Sequence, residues 1–423
     1  MDIFQFSYHS IGYISGTIFS VFLLGSLLSL KDKTRQTWIL VVYLLFTLFL
    51  DFGFLIRTAI FSPAFSKPAC FLIALYTSFS NFVLLYFIYS FFGMDKKKGS
   101  RSALAIIFSA GLFGFLFYVM KNIDSEVSYN FSIQMFEFQK PESTSPMGSI
   151  HFLTFIWILF VVLRQNRIER KKLTADTLDP DDAARAEIKK LVKTSRYFGW
   201  AVGIHASFSM MYTIYGFGYL SFSNFQLILT SAISLQLFIY TVLYLNYFPQ
   251  PSSFMIKVVG VSLATVLILL CVVARISFIL IERHYDEARS TEIENLRENL
   301  KSGRGNLLPK SVIYLISSSA PKNSFHSEPS EEDGENFISK RMYRTLSFQG
   351  NKPVYIIWYT FSTEGRRYEI GYPYETYSRM IHSIVSIIGI ILVSSSVFLV
   401  LILPYLIRKG LADLKNNPIG FLD

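Results

Sequence analysis

The sequence predicts an α-helical polytopic membrane protein of about nine transmembrane helices, carrying a small α+β extracytoplasmic domain. Three observations lead there. Stretches of about 20 residues recur with almost no charge, each long enough to cross a hydrocarbon core of roughly 30 Å. Lys and Arg gather in alternate short connections, as cytoplasmic loops require. Residues 282–380 form the only polar segment of domain size. The total apolar share of 52% is close to that of soluble domains, so the distribution decides and not the sum.

The apolar runs lie at roughly 10–30, 37–61, 69–93, 102–120, 150–163, 197–219, 223–247, 256–281 and 382–407. No basic stretch precedes the first run and no small-residue cleavage site follows it, so it reads as a span and not as a removable signal. The first seven make a seven-helix domain over residues 1–248. An eighth transmembrane helix follows at 249–281, then the insert at 282–380, a ninth helix at 381–407 and a short linker at 408–423.

With the N-terminus outside, the inner connections hold Lys31, Lys33 and Arg35, then Lys96, Lys97, Lys98 and Arg101, then a basic stretch from Arg164 to Arg196. The short outer ones hold Lys67, Lys121 and Lys140. The expected location is a bacterial inner membrane, multi-pass, with the C-terminus in the cytoplasm. The formal charge of +10 then belongs to a membrane-facing cytoplasmic surface, with the lipid bilayer as partner and no nucleic acid. In the third inner connection Asp179 suits an N-cap and Pro180 the first helical position. That helix reads either as a contact surface for a cytoplasmic signalling partner or as a solvated extension of the sixth span.

Thirteen of the fourteen prolines are expected outside the spans, and only Pro404 touches one. Paired helix breaks of the kind that mark transporter sites are not seen, which weighs against a transporter. The ionisable residues within or beside spans are Asp51, Arg57, His205 and Arg275. An intramembrane charge is a functional hypothesis by default, and hydrogen-bonded glue between helices is the alternative. Asp51 and Arg57 are six residues apart, about 240° around a helix, so they do not share a face. Cys70 and Cys271 fall in spans and read as packing residues. No residue pattern for a metal or cofactor is present, and none is expected.

In the insert, the absence of Gly and Pro from Val261 to Ser302 and the stripe Ile293, Leu296, Leu300 extend the eighth helix beyond the membrane. Strands are expected at "SVIYLIS" (311–317), "YRTLSFQ" (343–349), "KPVYIIWYTFS" (352–362) and "RRYEIGY" (366–372). Tyr368, Ile370 and Tyr372 alternate with Arg367, Glu369 and Gly371, the period of a half-buried strand. "STEGRR" reads as a hairpin turn at Gly365, and "PKNSFHSEPSEEDGEN" as a mobile loop. Helix resumes near Glu375 and runs into the ninth span.

A small sheet held between two transmembrane helices resembles the single-Cache and PAS-like periplasmic sensor domains of bacterial receptors. The resemblance implies a small extracytoplasmic ligand over the sheet, held by residues drawn from Arg344, Tyr355, Trp358, Arg366, Tyr368 and Tyr372, with the choice of sheet face open. The motifs "FLIRTAIFSPAF" (54–65) and "YEIGYPYETYSRMIHS" (368–383), with seven N-terminal spans, resemble the sensory half of spirochaete membrane signalling proteins. Their seven-helix region is similar to that of some histidine kinases. Their output is commonly a class III adenylate/guanylate cyclase or a PP2C-type phosphatase behind a HAMP-type linker. "LPYLIRKGLADL" resembles the start of such a linker, with Pro404, Leu411 and Leu414 as transmission residues, although the usual Pro–Leu pair is missing.

No cytoplasmic stretch here is long enough for a catalytic domain, so no catalytic residues are expected and the chain is not expected to be an enzyme. The expectation is a sensor module whose output lies elsewhere, working as a homodimer by resemblance. The rivals are a stand-alone receptor acting on a separate cytoplasmic protein, a small-molecule transporter with a polar cavity at Asp51, and a truncated relic.

Overall fold

The structure, a computed structural model, describes residues 4–131, 133–138, 146–175, 189, 192–193, 196–204, 214, 219–220, 222–247, 253–302, 309, 311–317, 338–346, 354–364 and 366–416. Among them, eight helices are long and apolar enough to cross a membrane, and the protein is a helical multi-pass membrane protein. The expected sixth span, 197–219, falls largely outside the described residues, where only 196–204, 214 and 219 are placed. Most of the "DPDD" helix and the acidic 321–336 loop also lie outside them.

The chain divides into two compact units, one of residues 9–272 and 386–423, the other of 1–8 and 273–385. The first is a helical bundle. It begins with α1 (Ser10–Leu28), α2 (Arg35–Ala59), α3 (Pro63–Phe91) and α4 (Lys98–Asn122). It continues with α5 (Pro146–Ala175), α6 (Phe222–Tyr247) and the first half of α7 (Ser253–Lys301).

Helix α2 starts at a capping box, in which Thr34 and Thr37 each bond the other's backbone N–H. Helix α3 begins six residues before the expected span, because Pro63 sits in its first turn, where proline is pre-set for helix. This corrects the proline count. Pro68 lies inside α3, in its second turn, where one missing N–H is tolerated near a helix end.

Small residues set the helix crossings. A Cβ on Gly53 would lie 2.8 Å from the Ala69 carbonyl, and one on Gly111 would lie 2.5 Å from that of Ser78. Backbones this close gain dispersion contacts that hydrocarbon solvent does not otherwise drive. Cys70 and Cys271 are buried free thiols, and Cys271 Sγ lies 3.3 Å from Ser15 Oγ.

Arg35, opening α2, pairs with Asp95 after α3 at 2.6 Å, so the first two basic connections share one end of the bundle. At the other end is a hairpin absent from the sequence reading, β1 (Val127–Asn130) and β2 (Met135–Phe138). Its Phe136 carbonyl accepts from Arg57 Nε and Nη2 at 2.8 and 2.6 Å.

The second unit holds a four-stranded antiparallel sheet of order β3-β6-β5-β4. The strands are β3 (Tyr314–Ser317), β4 (Met342–Leu346), β5 (Val354–Thr363) and β6 (Arg366–Pro373). All four overlap the expected strand regions, with ends that differ by no more than three residues. Thr363 pairs with Arg366 across a two-residue turn in which Glu364 adopts φ 50°, the positive angle that tight hairpins require. Gly365 lies outside the described residues.

Helix α7 runs 49 residues without interruption, about 74 Å at 1.5 Å per residue. Helix α8 (Tyr374–Val397) starts on the residue after β6. A π-helical turn, Phe398–Ile402, then joins it to α9 (Leu403–Asn416).

Candidate functional site

Antiparallel partners point to the same side of a sheet, so the register assigns every side chain to a face. One face carries Tyr343, Tyr355, Ile357, Tyr359, Phe361, Tyr368, Ile370 and Tyr372. It packs on the helices. Tyr359 donates to Asp286 of α7 at 3.0 Å, and the Arg289 guanidinium lies 4.7 Å from the Tyr372 ring. The opposite face carries Arg344, Ile356, Trp358, Thr360, Arg367, Glu369, Gly371 and, from β3, Tyr314.

The six candidate ligand residues are thereby divided. Arg344 and Trp358 share the polar face, with the guanidinium 5.9 Å from the indole ring. Tyr355, Arg366, Tyr368 and Tyr372 belong to the helix-facing side. Tyr372 is 1% exposed, and burial holds its hydroxyl well above the ordinary tyrosine range. Tyr368 stacks on Phe361 at 5.3 Å, Tyr355 is half-buried with its pKa raised by burial, and Arg366 is exposed.

Sequence reasoning missed the centre of the polar face. Glu369 is completely buried, pairs with Arg344 at 3.0 Å and accepts from Tyr314 Oη at 2.9 Å. Burial raises its pKa above the ordinary glutamate value, outweighing the Tyr314 hydrogen bond and the Arg344 charge that act to lower it. The Arg344 guanidinium stacks on Tyr314 at 4.5 Å from the ring centre. Tyr314 reaches this position because Gly371 faces it, where a Cβ would come within 2.0 Å of the ring. The alternation of Arg367, Glu369 and Gly371 was legible, but it reads as a solvent face. Only the register shows that this face is buried too.

Two donors on this face have no partner among the described residues. Arg344 Nε and Trp358 Nε1 are buried without a hydrogen-bond partner among the described residues, while Arg344 Nη1 is taken by Glu369. Buried polar groups normally find partners, so these two donors are the chemically unsatisfied atoms of this face.

The intramembrane candidates separate in space. Asp51 is 2% exposed, and its carboxylate accepts from Ser20 Oγ at 3.2 Å while lying against Gly16 of α1. Arg57 serves the hairpin. Arg275 lies 5.5 Å from the Tyr8 ring and 5.9 Å from that of Phe278, and its Nε has no hydrogen-bond partner among the described residues. His205 lies outside the described residues. A small cavity in the bundle is lined by Gly12, Ser15, Thr230, Ser234 and Cys271 among others, and Asp51 is not in its wall. Pro404, Leu411 and Leu414 all lie in α9.

Among the described residues no cluster of His, Cys, Asp or Glu has the makings of a metal site. No protein-family model and no curated protein matches the chain.

Proposed function

We propose that this chain is the sensory part of a bacterial transmembrane signalling protein. It sits in the inner membrane with its N-terminus outside and its C-terminus in the cytoplasm. The sheet-bearing unit lies outside the cytoplasm and takes a small ligand on the face of Arg344 and Trp358. The ligand shifts α7 relative to α8, and α9 carries that shift to a cytoplasmic output of the cyclase or phosphatase kind. A homodimer is the working assembly.

One observation carries this reading. The sheet is joined to α8 with no intervening residue, and α7 enters the same unit from an apolar span as one unbroken helix. A rigid helix passes movement along its axis, which a flexible linker does not. The unused donors of Arg344 and Trp358 favour a ligand rich in acceptor oxygens.

The experiment is a thermal-shift panel on the purified full chain in nanodiscs, using millimolar small carboxylates, phosphates, sugars and amino acids. A compound that raises the midpoint of the wild type, and has no effect on folded R344M and W358F, supports the reading. A shift that survives both substitutions, or no shift across the panel, defeats it.

A further inference from the structure

We infer that Arg341 is a positioning residue, which fixes the resting relation of α7 to α8 through a single carboxylate, Glu282. Glu282 of α7 accepts a hydrogen bond from Tyr377 Oη of α8 at 2.9 Å. The same oxygen, Oε1, accepts from Arg341 Nη2, on the segment entering β4. Three elements distant in sequence therefore meet at one atom.

The surroundings make this junction directional. The Arg341 guanidinium lies 4.7 Å from the Tyr377 ring and 5.6 Å from the Tyr343 ring. Its side chain is 13% exposed. Its Nη1 is 3.7 Å from Asp286 Oδ1, an ion pair too long for a hydrogen bond. Asp286 is instead bonded by Tyr359 of β5. Tyr285 packs on Tyr377 at 5.0 Å, one residue from that carboxylate. Moving α8 along or around α7 at this level must separate Tyr377 from Glu282 and take from that half-buried carboxylate one of the two donors on Oε1.

Arg341 is also three residues from Arg344, about 10 Å along an extended chain. A group seated on Arg344 displaces β4, and β4 carries Arg341 with it. The junction is thus a physical route from the polar sheet face to the helix pair. The sensor reading supplies only this last consequence, whereas the positioning role is measured without any ligand.

The test places spin labels at exposed positions, Glu287→Cys on α7 and Thr376→Cys on α8, in the full chain in nanodiscs. The wild type is expected to give one narrow distance distribution. R341M and E282Q should at least double its width or shift its centre. R341K keeps the charge but loses the planar fork, and should broaden it less. The reciprocal exchange E282R/R341E should restore most of the narrow distribution.

Near-ultraviolet circular dichroism identifies variants that remain folded. An unchanged distribution in folded R341M and R341K overturns the inference, as does a folded exchange variant as broad as R341M. Where R341M fails to fold, R341K and the exchange variant decide it. Failure here leaves the ligand face untouched, and failure of the ligand panel leaves this junction untouched.

Discussion

The bundle and the sheet-bearing unit bury polar groups with different emphasis. In the bundle, many hydroxyls bond carbonyls one turn back on their own helix, beside a few cross-helix bonds such as Ser20 to Asp51 and Ser10 to the Thr58 carbonyl. Thr47 donates to Tyr43, Thr58 to Phe54, Thr77 to Ile73, Thr230 to Gln226 and Thr241 to Leu237. In the sheet-bearing unit, buried polar groups are charged and bond across elements, as Arg344 does to Glu369 and Arg341 to Glu282. In a hydrocarbon setting a hydroxyl satisfied locally costs little and specifies little. A charged pair taken from water is worth keeping only when geometry and further hydrogen bonds hold it. Shape therefore weighs more in the bundle and specific pairs weigh more in the sheet-bearing unit.

That contrast breaks most easily at Glu369. E369A leaves Arg344 and Tyr314 buried without their acceptor and should cost about 3 kcal/mol, read as a loss of thermal midpoint in nanodiscs. E369Q keeps an acceptor for Tyr314 and should cost less than about 1 kcal/mol. Equal losses in the two variants would show that the carboxylate charge facing Arg344 carries the whole effect, and that volume and the Tyr314 hydrogen bond carry none. G371A comes next. Its new methyl meets the Tyr314 ring, at an overpacking cost of about 2 kcal/mol. Adding Y314A should return part of that loss, a coupling that distant sites do not show.

The pH response is smaller. Burial raises the Glu369 pKa in the folded state, so this group's stabilisation is complete below the ordinary glutamate range near pH ~4. It is lost as pH rises through the raised value. Wild-type stability minus that of E369Q should therefore fall between acid and neutral pH, and a rise with pH would reverse the assignment. In the bundle, T47V should change the midpoint by no more than about 0.5 kcal/mol equivalent, since its hydroxyl serves only its own helix. The exposed Arg379–Glu375 pair on α8 is the control for surface charge. R379A should be silent within about 0.5 kcal/mol, and a larger effect would place that pair in the coupling path.

The same contrast explains what was legible in the sequence. Spans announce themselves by composition, because every residue facing hydrocarbon must be apolar. Eight of the nine expected spans have counterparts among the described residues. The unbroken α7 was legible from 41 residues free of Gly and Pro, Val261 to Lys301. The strands announced themselves by alternation and β-branched residues. The β1–β2 hairpin did not, since "VSYN" and "MFEF" are too short for a period to emerge, and Arg57 of α2 helps hold them.

The sites were less legible still. Arg344 and Trp358 were identified, but the register separates them from Tyr368 and Tyr372. Glu369 and Tyr314 are 55 residues apart, and Arg341 and Glu282 are 59 apart. No local pattern announces a partner at that distance. Pro68 was placed outside its helix because a proline weakens a helical reading, although Pro63 had already started the helix.

The π turn at Phe398–Ile402 has a bearing on how the end of the chain is read. Leu403 N–H bonds the carbonyl five residues back, at Phe398, so one extra residue is absorbed before Pro404. Each residue in an α-helix advances the azimuth by 100°. The side-chain phase of α9 is therefore displaced by nearly one step from the phase that α8 would project onward. Any fusion that grafts a coiled-coil reporter after α9 has to be designed with one residue more than the α-helical count, or its output will be wired out of phase.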